Sequence, residues 1–463
     1  MINQDTICAV ATAQGGAIGI IRVSGPEAIA ITSSIFVPVQ EKVKLPDKEA
    51  YTLTFGKICK GEEVIDEVLV SLFRAPHSYT GEDSTEISCH GSSYILQQVM
   101  QLLIEKGCRS ALPGEFTQRA FLNGKMDLSQ AEAVADLIAS SSAATHRLAM
   151  SQMRGGFSKE LTDLRTQLLN FVSMVELELD FSEEDVEFAN RDALLKLTEN
   201  IEQVITRLAD SFNVGNAIKN GIPVAIIGET NAGKSTLLNV LLNEEKAIVS
   251  DIHGTTRDVI EDTITIKGTL FRFIDTAGIR ETHDKIESIG IERTFRKLDQ
   301  AEIVLCMIAA TDSHEQIEQL AAKIKPKCKG KQLIMVFNKS DLITEKQKND
   351  LEKLAIKHKS SHIFISAKNR ENTIELEDLL VKTANLPTVT QNDVIVTNIR
   401  HYEALVHALD SIHRVKDGLH NSISGDFLSQ DIRECMHYLG EITGTISNDE
   451  ILGNIFSHFC IGK

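Results

Sequence analysis

Residues 228–236 read GETNAGKST, and this stretch decides the fold of the central part of the chain. The apolar run at 222–227 predicts a buried parallel strand before it, and the sequence LLNVLL predicts a helix after it. A strand, a glycine-rich turn ending in Lys-Ser and a helix together form a phosphate-binding P-loop. The two glycines allow a tight turn whose N–H groups point at one phosphate. The helix N-terminus and Lys234 add positive charge, and the Ser235 hydroxyl suits Mg²⁺.

Four more motifs follow in chain order. VSDIHGTTRD at 249–258 carries a Thr pair suited to Mg²⁺ and the γ-phosphate. FRFIDTAG at 271–278 supplies an Asp for a Mg²⁺-bound water and a Gly whose N–H can sense the γ-phosphate. LIMVFNKSD at 333–341 ends in Asp341, whose carboxylate can accept two hydrogen bonds from guanine but not from adenine. HIFISAK at 362–368 brings backbone towards guanine O6. Five such motifs at the carboxyl ends of strands predict a Ras-like GTPase domain.

Two positions shape the predicted chemistry of this domain. Ile279 stands where Ras-like switches place a water-orienting glutamine, and a hydrocarbon cannot orient water. Another group must therefore do so, and the nearby candidates are Arg280, Glu281, Asp284 and Glu287. Asn231 can either ligate a monovalent cation beside the phosphates, in the charge role of an arginine finger, or act as a turn residue that uses its amide locally.

Composition restricts the class of protein. With 463 residues, of which 42% are apolar, the chain is long enough for about three domains. The N-terminus has no signal-peptide pattern, and no apolar run approaches the roughly 20 residues of a membrane span. Eight cysteines without a CxxC pair argue against a zinc site or a disulfide framework and indicate a reducing cytoplasm. A net charge of −17 opposes nucleic-acid binding unless a partner supplies basic groups.

Patterns along the chain predict four segments. Residues 1–120 combine strand-like runs with one helical stretch and are predicted to form an α/β domain. Apolar residues at helical spacing predict helices within 121–215 and again within 384–463. Apolar runs separated by glycines predict strands within 216–383, the segment that contains the P-loop. Helical segments on both sides of one α/β domain predict a discontinuous helical domain into which the GTPase domain is inserted.

Four stretches outside the nucleotide motifs carry a resemblance to a known family. They are DTICAVATAQGGAIGIIRVSG at 5–25, SYTGEDSTEISCHG at 78–91, PGEFTQRAFLNGKMDLSQAEA at 113–133 and the terminal FCIGK at 459–463. Together with the inserted GTPase domain, they make the chain similar over its full length to the MnmE (TrmE) family of tRNA-modification GTPases. The resemblance implies an N-terminal folate-binding and dimerisation domain, a split helical domain and an inserted G domain.

The resemblance also assigns roles within the G domain. Ser235 and Thr256 would ligate Mg²⁺, and K⁺ would be held by Asn231, Ser250, Ile252 and Thr255. Glu287 matches the family's water-positioning glutamate, which supplies what Ile279 cannot, and Lys234 would act beside it in catalysis. The residues expected to bind GTP are Asn231, Ala232, Gly233, Lys234, Ser235, Thr236, Ser250, Thr255, Thr256, Asp275, Thr276, Ala277, Gly278, Asn338, Lys339, Asp341, Ser366, Ala367 and Lys368.

For the N-terminal domain, the resemblance points to Arg22, Glu86 and Lys125, with Lys463 from the tail, as the site for a 5-formyl- or 5,10-methylene-tetrahydrofolate. A pterin shares the amino-oxo edge of guanine, so a carboxylate such as Glu86 can read it, and basic groups suit the glutamate tail. Without the resemblance, the same residues would be read as surface charges. Cys460 has two readings, a small buried apolar residue or a thiol that reaches the folate or an intermediate.

The function that the resemblance implies is that of a homodimeric, cytoplasmic, K⁺-stimulated GTPase. It would work with the FAD-dependent partner MnmG, in a heterotetramer or larger complex, on C5 of the wobble uridine (position 34) of certain tRNAs. The product would carry an aminomethyl or carboxymethylaminomethyl group whose carbon comes from the folate. Two alternatives are a ribosome-assembly GTPase, which would carry a basic GxxG loop or a second G domain, and a free-standing folate-dependent aminomethyltransferase.

Overall fold

The computed structural model describes residues 5–13, 15–40, 44–180, 191–229, 231–244, 262–274, 299–358, 360–387, 390, 393–421, 423–446, 449–457, 459 and 462. The chain divides into two compact units. The first contains Met1–Ala139, Met150–Ile205 and Glu403–Lys463, and the second contains Ser140–Ala149 and Thr206–Tyr402. The division into four segments with boundaries at 120, 215 and 383 stays a prediction.

A seven-stranded sheet forms the N-terminal part of the first unit, in the order β3-β4-β5-β6-β2-β1-β7. All neighbouring strands are antiparallel except β1 and β7, which are parallel. The strands are β1 (Ile7–Val10), β2 (Ile18–Ser24), β3 (Phe36–Pro38), β4 (Thr52–Lys60), β5 (Glu63–Phe73), β6 (Ser84–His90) and β7 (Arg109–Ser110). The predicted strands in this region are therefore confirmed.

The two faces of this sheet differ in polarity and burial. Helices α1 (Ala28–Ile35) and α2 (Ser93–Glu105) pack their apolar side chains into one core with the sheet. In β4 and β5 buried and exposed residues alternate, which is the pattern of a sheet covered on one side. The other face, which we call the open face, carries the exposed side chains of Ile18, Val37, Leu53, Phe55 and Leu69.

Helices from both ends of the chain pack together in the rest of the first unit. The long helix α6 (Gly156–Asp180) buries Leu161, Leu164 and Leu168 along one side, at the spacing of a helix face. It packs against α13 (Gly425–Thr443), which also contacts α4 (Leu128–Ala139). The remaining helices are α3 (Glu115–Leu122) and α14 (Asp449–Ser457) in the first unit, α7 (Arg191–Asn220) and α12 (Ile399–His420), which have residues in both units, and α5 (Ala143–Met153), most of which belongs to the second unit. The prediction of a discontinuous helical domain is thus confirmed.

The second unit is built on a six-stranded sheet in the order β13-β12-β11-β8-β10-β9. Only the β9–β10 pair is antiparallel. Every residue of β11 is buried and apolar clusters lie on both faces, as expected for a parallel sheet covered on two sides. The elements are β8 (Ile222–Gly228), α8 (Lys234–Glu244), β9 (Asp262–Ile266), β10 (Thr269–Phe273), β11 (Ile303–Ala309), α9 (His314–Ile324), β12 (Gln332–Asn338), α10 (Glu345–Lys357), β13 (Ser361–Phe364) and α11 (Thr373–Ala384).

This arrangement is the inserted Ras-like P-loop G domain expected from the sequence. Strand β8 leads into the P-loop and α8 follows it, as the apolar run and the LLNVLL pattern predict. Helices α9 and α10 begin with capping boxes at Ser313 and Thr344, each paired with a Gln three residues later. Within the described part of the chain, no helix is both long enough and apolar enough to span a bilayer.

Candidate nucleotide and N-terminal sites

The P-loop lies between the end of β8 and the start of α8. The Lys234 ammonium donates to the carbonyls of Gly228 (2.7 Å) and Glu229 (2.8 Å), so it spans the loop at its mouth. Asn231 is exposed and has a φ of +66°, a left-handed conformation that asparagine tolerates better than most residues. This conformation is typical of a turn residue, but both the local use of the Asn231 amide and its role as a K⁺ ligand stay predictions. Ser235 is half-buried in the first turn of α8.

Asn338, at the end of β12, joins the P-loop to the predicted guanine loop. Its Nδ2 donates to the Ala232 carbonyl (2.8 Å), and its Oδ1 accepts from the Ala367 N–H (3.0 Å). Asn338 is 4% exposed, and Ala232 and Ala367 are each 2% exposed, so both bonds lie away from water. The Asn338 side chain therefore connects the P-loop to the Ser-Ala-Lys loop that is predicted to contact the base.

Gly233 fits closely around this bridge. Its φ is +97°, and a Cβ placed on it would lie 2.1 Å from Asn338 Nδ2. Any side chain at position 233 would thus strain the backbone and displace the bridging amide. The Asn338 bridge and the left-handed φ therefore both favour glycine at position 233.

The predicted base-reading residues lie next to this bridge. Asp341 is exposed in the short 3₁₀ helix Ser340–Leu342 that follows β12, and Lys339 before it has a left-handed φ of +63°. The Ser340 N–H donates to the Ile365 carbonyl at 3.1 Å, which ties this turn to the Ser-Ala-Lys loop. In that loop Ser366 and Ala367 are buried, whereas Lys368 is exposed. The structure thus brings together the predicted residues of the NKSD and SAK motifs.

Several predicted residues lie outside the described part of the chain. They include the Thr-pair loop, the DTAG motif, the candidate water-positioning residues and most of the C-terminal motif. Their roles stay predictions, and they are Ser250, Ile252, Thr255, Thr256, Asp275, Thr276, Ala277, Gly278, Ile279, Arg280, Glu281, Asp284, Glu287, Cys460 and Lys463.

Two of the predicted folate residues, Arg22 and Glu86, form an ion pair on the open face. They are cross-strand neighbours in β2 and β6, and Arg22 Nε and Nη2 both lie 2.9 Å from Glu86 Oε1. Arg22 Nη1 donates to the Gly462 carbonyl at 3.4 Å. Gly462 is buried, and a Cβ on it would lie 2.4 Å from the Val10 carbonyl oxygen, so Gly462 lies closely against β1. The structure therefore places Gly462 of the terminal motif beside the Arg22–Glu86 pair.

The side chain of Lys125 packs against the loop that carries the SYTGED sequence. Its ammonium donates to the Pro76 carbonyl (2.9 Å), and its aliphatic stem lies beside Gly81. Among the described contacts of Lys125 there is none to Arg22 or Glu86. The sequence grouped these three residues, and the structure joins only two of them directly.

A buried charge network in the same domain was missed by the sequence analysis. Arg119 is 5% exposed, and its guanidinium donates to Asp5 Oδ1 (2.7 Å), Glu115 Oε1 (3.0 Å) and Glu82 Oε1 (3.2 Å). Arg109 completes the group by donating to Asp5 Oδ2 (2.6 Å) and Glu115 Oε2 (3.0 Å). The available signal was the concentration of charges within the GED and GEFTQR sequences, which buried strands and helices rarely carry without partners.

The network sets the protonation of its carboxylates. Burial raises the pKa of Glu115, but hydrogen bonds from Arg109, the Leu112 N–H and Arg119 outweigh it and hold that pKa below its usual value. The hydrogen bond from Arg109 lowers the pKa of Asp5, and burial opposes the shift only in part. Both carboxylates are therefore ionised at neutral pH, as their guanidinium partners require.

Comparison with known proteins agrees with these features. Residues 6–125 match the family described as GTP-binding protein TrmE N-terminus, and residues 128–460 match the MnmE helical domain. The chain belongs to the MnmE family. A tRNA modification GTPase MnmE from Bacteroides thetaiotaomicron is 75% identical over 465 residues, covering 100% of both chains. The protein of the same name from Parabacteroides distasonis is 60% identical, covering 99% of this chain and 100% of that one.

A match to a solved structure is much weaker. A variant of Aquifex aeolicus Era bound to GDP and AlF4⁻ is 29% identical, with 41% of this chain and 66% of that chain covered and a TM-score of 0.28. That score is too low to support an argument. The MnmE family assignment rests on the sequence matches, which extend over the N-terminal, helical and G domains alike.

Proposed function

We propose that this member of the MnmE family hydrolyses GTP at its P-loop and couples hydrolysis to the modification of tRNA. In full, it acts with the FAD-dependent protein MnmG on C5 of the wobble uridine, position 34, and adds an aminomethyl or carboxymethylaminomethyl group. The observation that carries the proposal is the Asn338 bridge, which holds the phosphate and base loops as one site. The shared name of the relatives, tRNA modification GTPase MnmE, favours this reading over ribosome assembly.

The proposed GTPase chemistry depends on positioning and charge. Lys234, poised on the carbonyls of Gly228 and Glu229, would exchange those acceptors for the β- and γ-phosphates. Asp341, exposed beside the bridge, would accept hydrogen bonds from guanine. Glu287 would orient the attacking water, since Ile279 cannot.

The residues expected to bind Mg²⁺ and K⁺ offer oxygen atoms, which suit both cations. Ser235 in the first turn of α8 presents a hard oxygen that suits Mg²⁺, and Thr256 would complete the protein ligands. The exposed Asn231 can offer its amide oxygen to K⁺, with Ser250, Ile252 and Thr255 as the other proposed ligands. Both cations would neutralise phosphate charge when bound.

The N-terminal domain would hold the one-carbon carrier. Arg22 and Glu86 stand together on the open face, and the end of the chain lies against Arg22, which supports a site that includes Lys463. Lys125 would reach the same ligand from the neighbouring loop. The carrier, a 5-formyl- or 5,10-methylene-tetrahydrofolate, would supply the carbon of the new substituent. Cys460 stays open between a packing role and a thiol that reaches this carrier.

The same open face supports a homodimer. Ile18, Leu53, Phe55 and Leu69 are between 39% and 65% exposed and lie on strands β2, β4 and β5 of one sheet. A set of large apolar side chains on one face marks an interaction surface more often than a free one. We assign it to a second copy of this chain, in the cytoplasm and in complex with MnmG.

Mass spectrometry of tRNA nucleosides tests the proposed function. In cells that lack this chain, the modified wobble uridine should disappear, and the parent chain should restore it. Lys234→Ala should fail to restore it, whereas the exposed-surface control Lys346→Ala should succeed. Unchanged wobble nucleosides in the deletion strain would contradict the proposal, and a defect confined to ribosomal subunits would favour the ribosome-assembly alternative.

A further inference from the structure

The SYTGED and PGEFTQRAF sequences contain residues that the proposed site does not use. Glu82, Glu115 and Arg119 come from these two sequences and meet in the buried charge network. Arg119 also donates to the Asp5 carbonyl at 2.8 Å, which ties the start of the chain into the same group. Among the described residues, Asp5, Glu82, Arg109, Glu115 and Arg119 are paired with one another.

The network fixes the loop at residues 77–83. Glu82 accepts from Arg119 and, through Oε2, from the Ser24 hydroxyl at 2.8 Å. The loop backbone is held as well, because Asn123 Nδ2 donates to the Thr80 carbonyl at 2.7 Å. Ser24 and Thr80 share a further hydroxyl contact of 2.7 Å. Side chains from β2, from α3 and from Asn123 just after α3 thus hold this loop.

Within this loop, Tyr79 lies against the guanidinium of Arg22. The guanidinium carbon is 5.1 Å from the centre of the Tyr79 ring and 5.6 Å from that of Phe116, within the range of cation–π attraction. The Tyr79 hydroxyl is 2.8 Å from Thr117 Oγ1, which orients the ring. Burial raises the pKa of the Tyr79 phenol against the opposing effects of Thr117 and Arg22, so the ring remains neutral at physiological pH.

The described contacts of Arg22 hold its guanidinium in one orientation and use three of its five N–H groups. Two aromatic rings contact the guanidinium, Glu86 accepts from Nε and Nη2, and the Gly462 carbonyl accepts from Nη1. A guanidinium that is already oriented loses less rotamer freedom when it binds an anion.

We propose that Tyr79 is a positioning residue of the folate site, acting through Arg22, and that Arg119 and Glu82 hold the loop that presents it. This inference rests on the proposed folate function and adds to it. Tyr79 acts by fixing the guanidinium that faces the anionic carrier. Its aromatic ring is the part that matters, because the hydroxyl only orients that ring.

Calorimetric titration of the full chain with 5-formyl-tetrahydrofolate tests this role. We expect Tyr79→Leu to weaken binding by about tenfold, the effect of losing one partly buried cation–π contact, and Tyr79→Phe to stay within about threefold of the parent. The matched control is Tyr94→Leu, which removes an exposed tyrosine from α2. GTP hydrolysis should remain close to the parent value in all three variants, and thermal unfolding should do so in Tyr79→Phe and Tyr94→Leu.

A double-mutant cycle with Arg22→Lys separates positioning from packing. Lysine keeps the charge but has no planar guanidinium to orient, so Tyr79→Leu should weaken binding less than about twofold in that background. An equal loss of binding in both backgrounds would mean that Tyr79 does not act through the guanidinium, and it would overturn the inference. Equal binding by the parent and Tyr79→Leu would overturn it too. A parent chain that binds no folate would overturn the proposed folate function itself.

Discussion

Replacing Asn338 with alanine removes both hydrogen bonds that join the two nucleotide loops. The Ala232 carbonyl and the Ala367 N–H would lose their partner while they remain buried. Each orphaned buried group costs about 1–3 kcal/mol, and a water that enters the new cavity recovers part of that. We therefore expect a loss of about 2–4 kcal/mol in GDP binding, since binding must now order both loops. That loss corresponds to roughly 30-fold to several-hundred-fold weaker binding.

Calorimetry with GDP and Mg²⁺ measures this effect directly. Asn349→Ala, on the exposed side of α10, is the matched control and should bind as the parent does. Asn338→Asp should be at least as damaging as Asn338→Ala, because it keeps the acceptor for Ala367 but turns a carboxylate oxygen towards the Ala232 carbonyl. GDP affinity of Asn338→Ala within threefold of the parent, with no change in thermal unfolding, would refute the bridging role.

Four further predictions concern the cation that stimulates hydrolysis, the selection of the base, the assembly of the dimer and the dependence of stability on pH. GTP hydrolysis should be much faster in KCl than in NaCl of equal ionic strength, and equal rates would remove the Asn231 cation argument. Asp341→Asn should weaken the binding of GTP and allow xanthosine triphosphate to bind, as competition binding would show. Phe55→Glu, on the open face, should yield monomers by light scattering, while Tyr94→Glu remains dimeric. Asp5 and Glu115 have lowered pKa values, so the network's stability is complete above their ordinary values of 3.8 and 4.5. This contribution to stability is lost as pH falls through the lowered pKa values. Glu115→Gln should therefore make the free energy of unfolding depend less on pH in that acidic range, as acid unfolding would show.

The G domain was largely predictable because its signals are local. The apolar run before GETNAGKST and the helical pattern after it became β8 and α8, and the NKSD and SAK motifs stand at adjacent strand ends. The role of Asn338 as a bridge was not predictable. It depends on a hydrogen bond between residues 106 positions apart, which come together only once the sheet has folded.

The site of the N-terminal domain was less predictable, because it depends on contacts between residues far apart in the chain. Its strands could be located from sequence, yet the Arg22–Glu86 pair depends on the register of β2 against β6. The charge network depends on contacts of still longer range, such as Arg119 with Asp5 across 114 positions. From sequence alone, Tyr79 is a residue in a polar loop, because nothing local indicates the guanidinium beside it.

The central claim is that the P-loop of this chain binds and hydrolyses a guanine nucleotide. Phosphate release by the purified chain in Mg²⁺ and K⁺, with GTP and ATP compared, tests it most directly. GTP should be turned over and ATP left intact, and Lys234→Ala should abolish turnover. Equal hydrolysis of both nucleotides, or full activity in Lys234→Ala, would contradict the account.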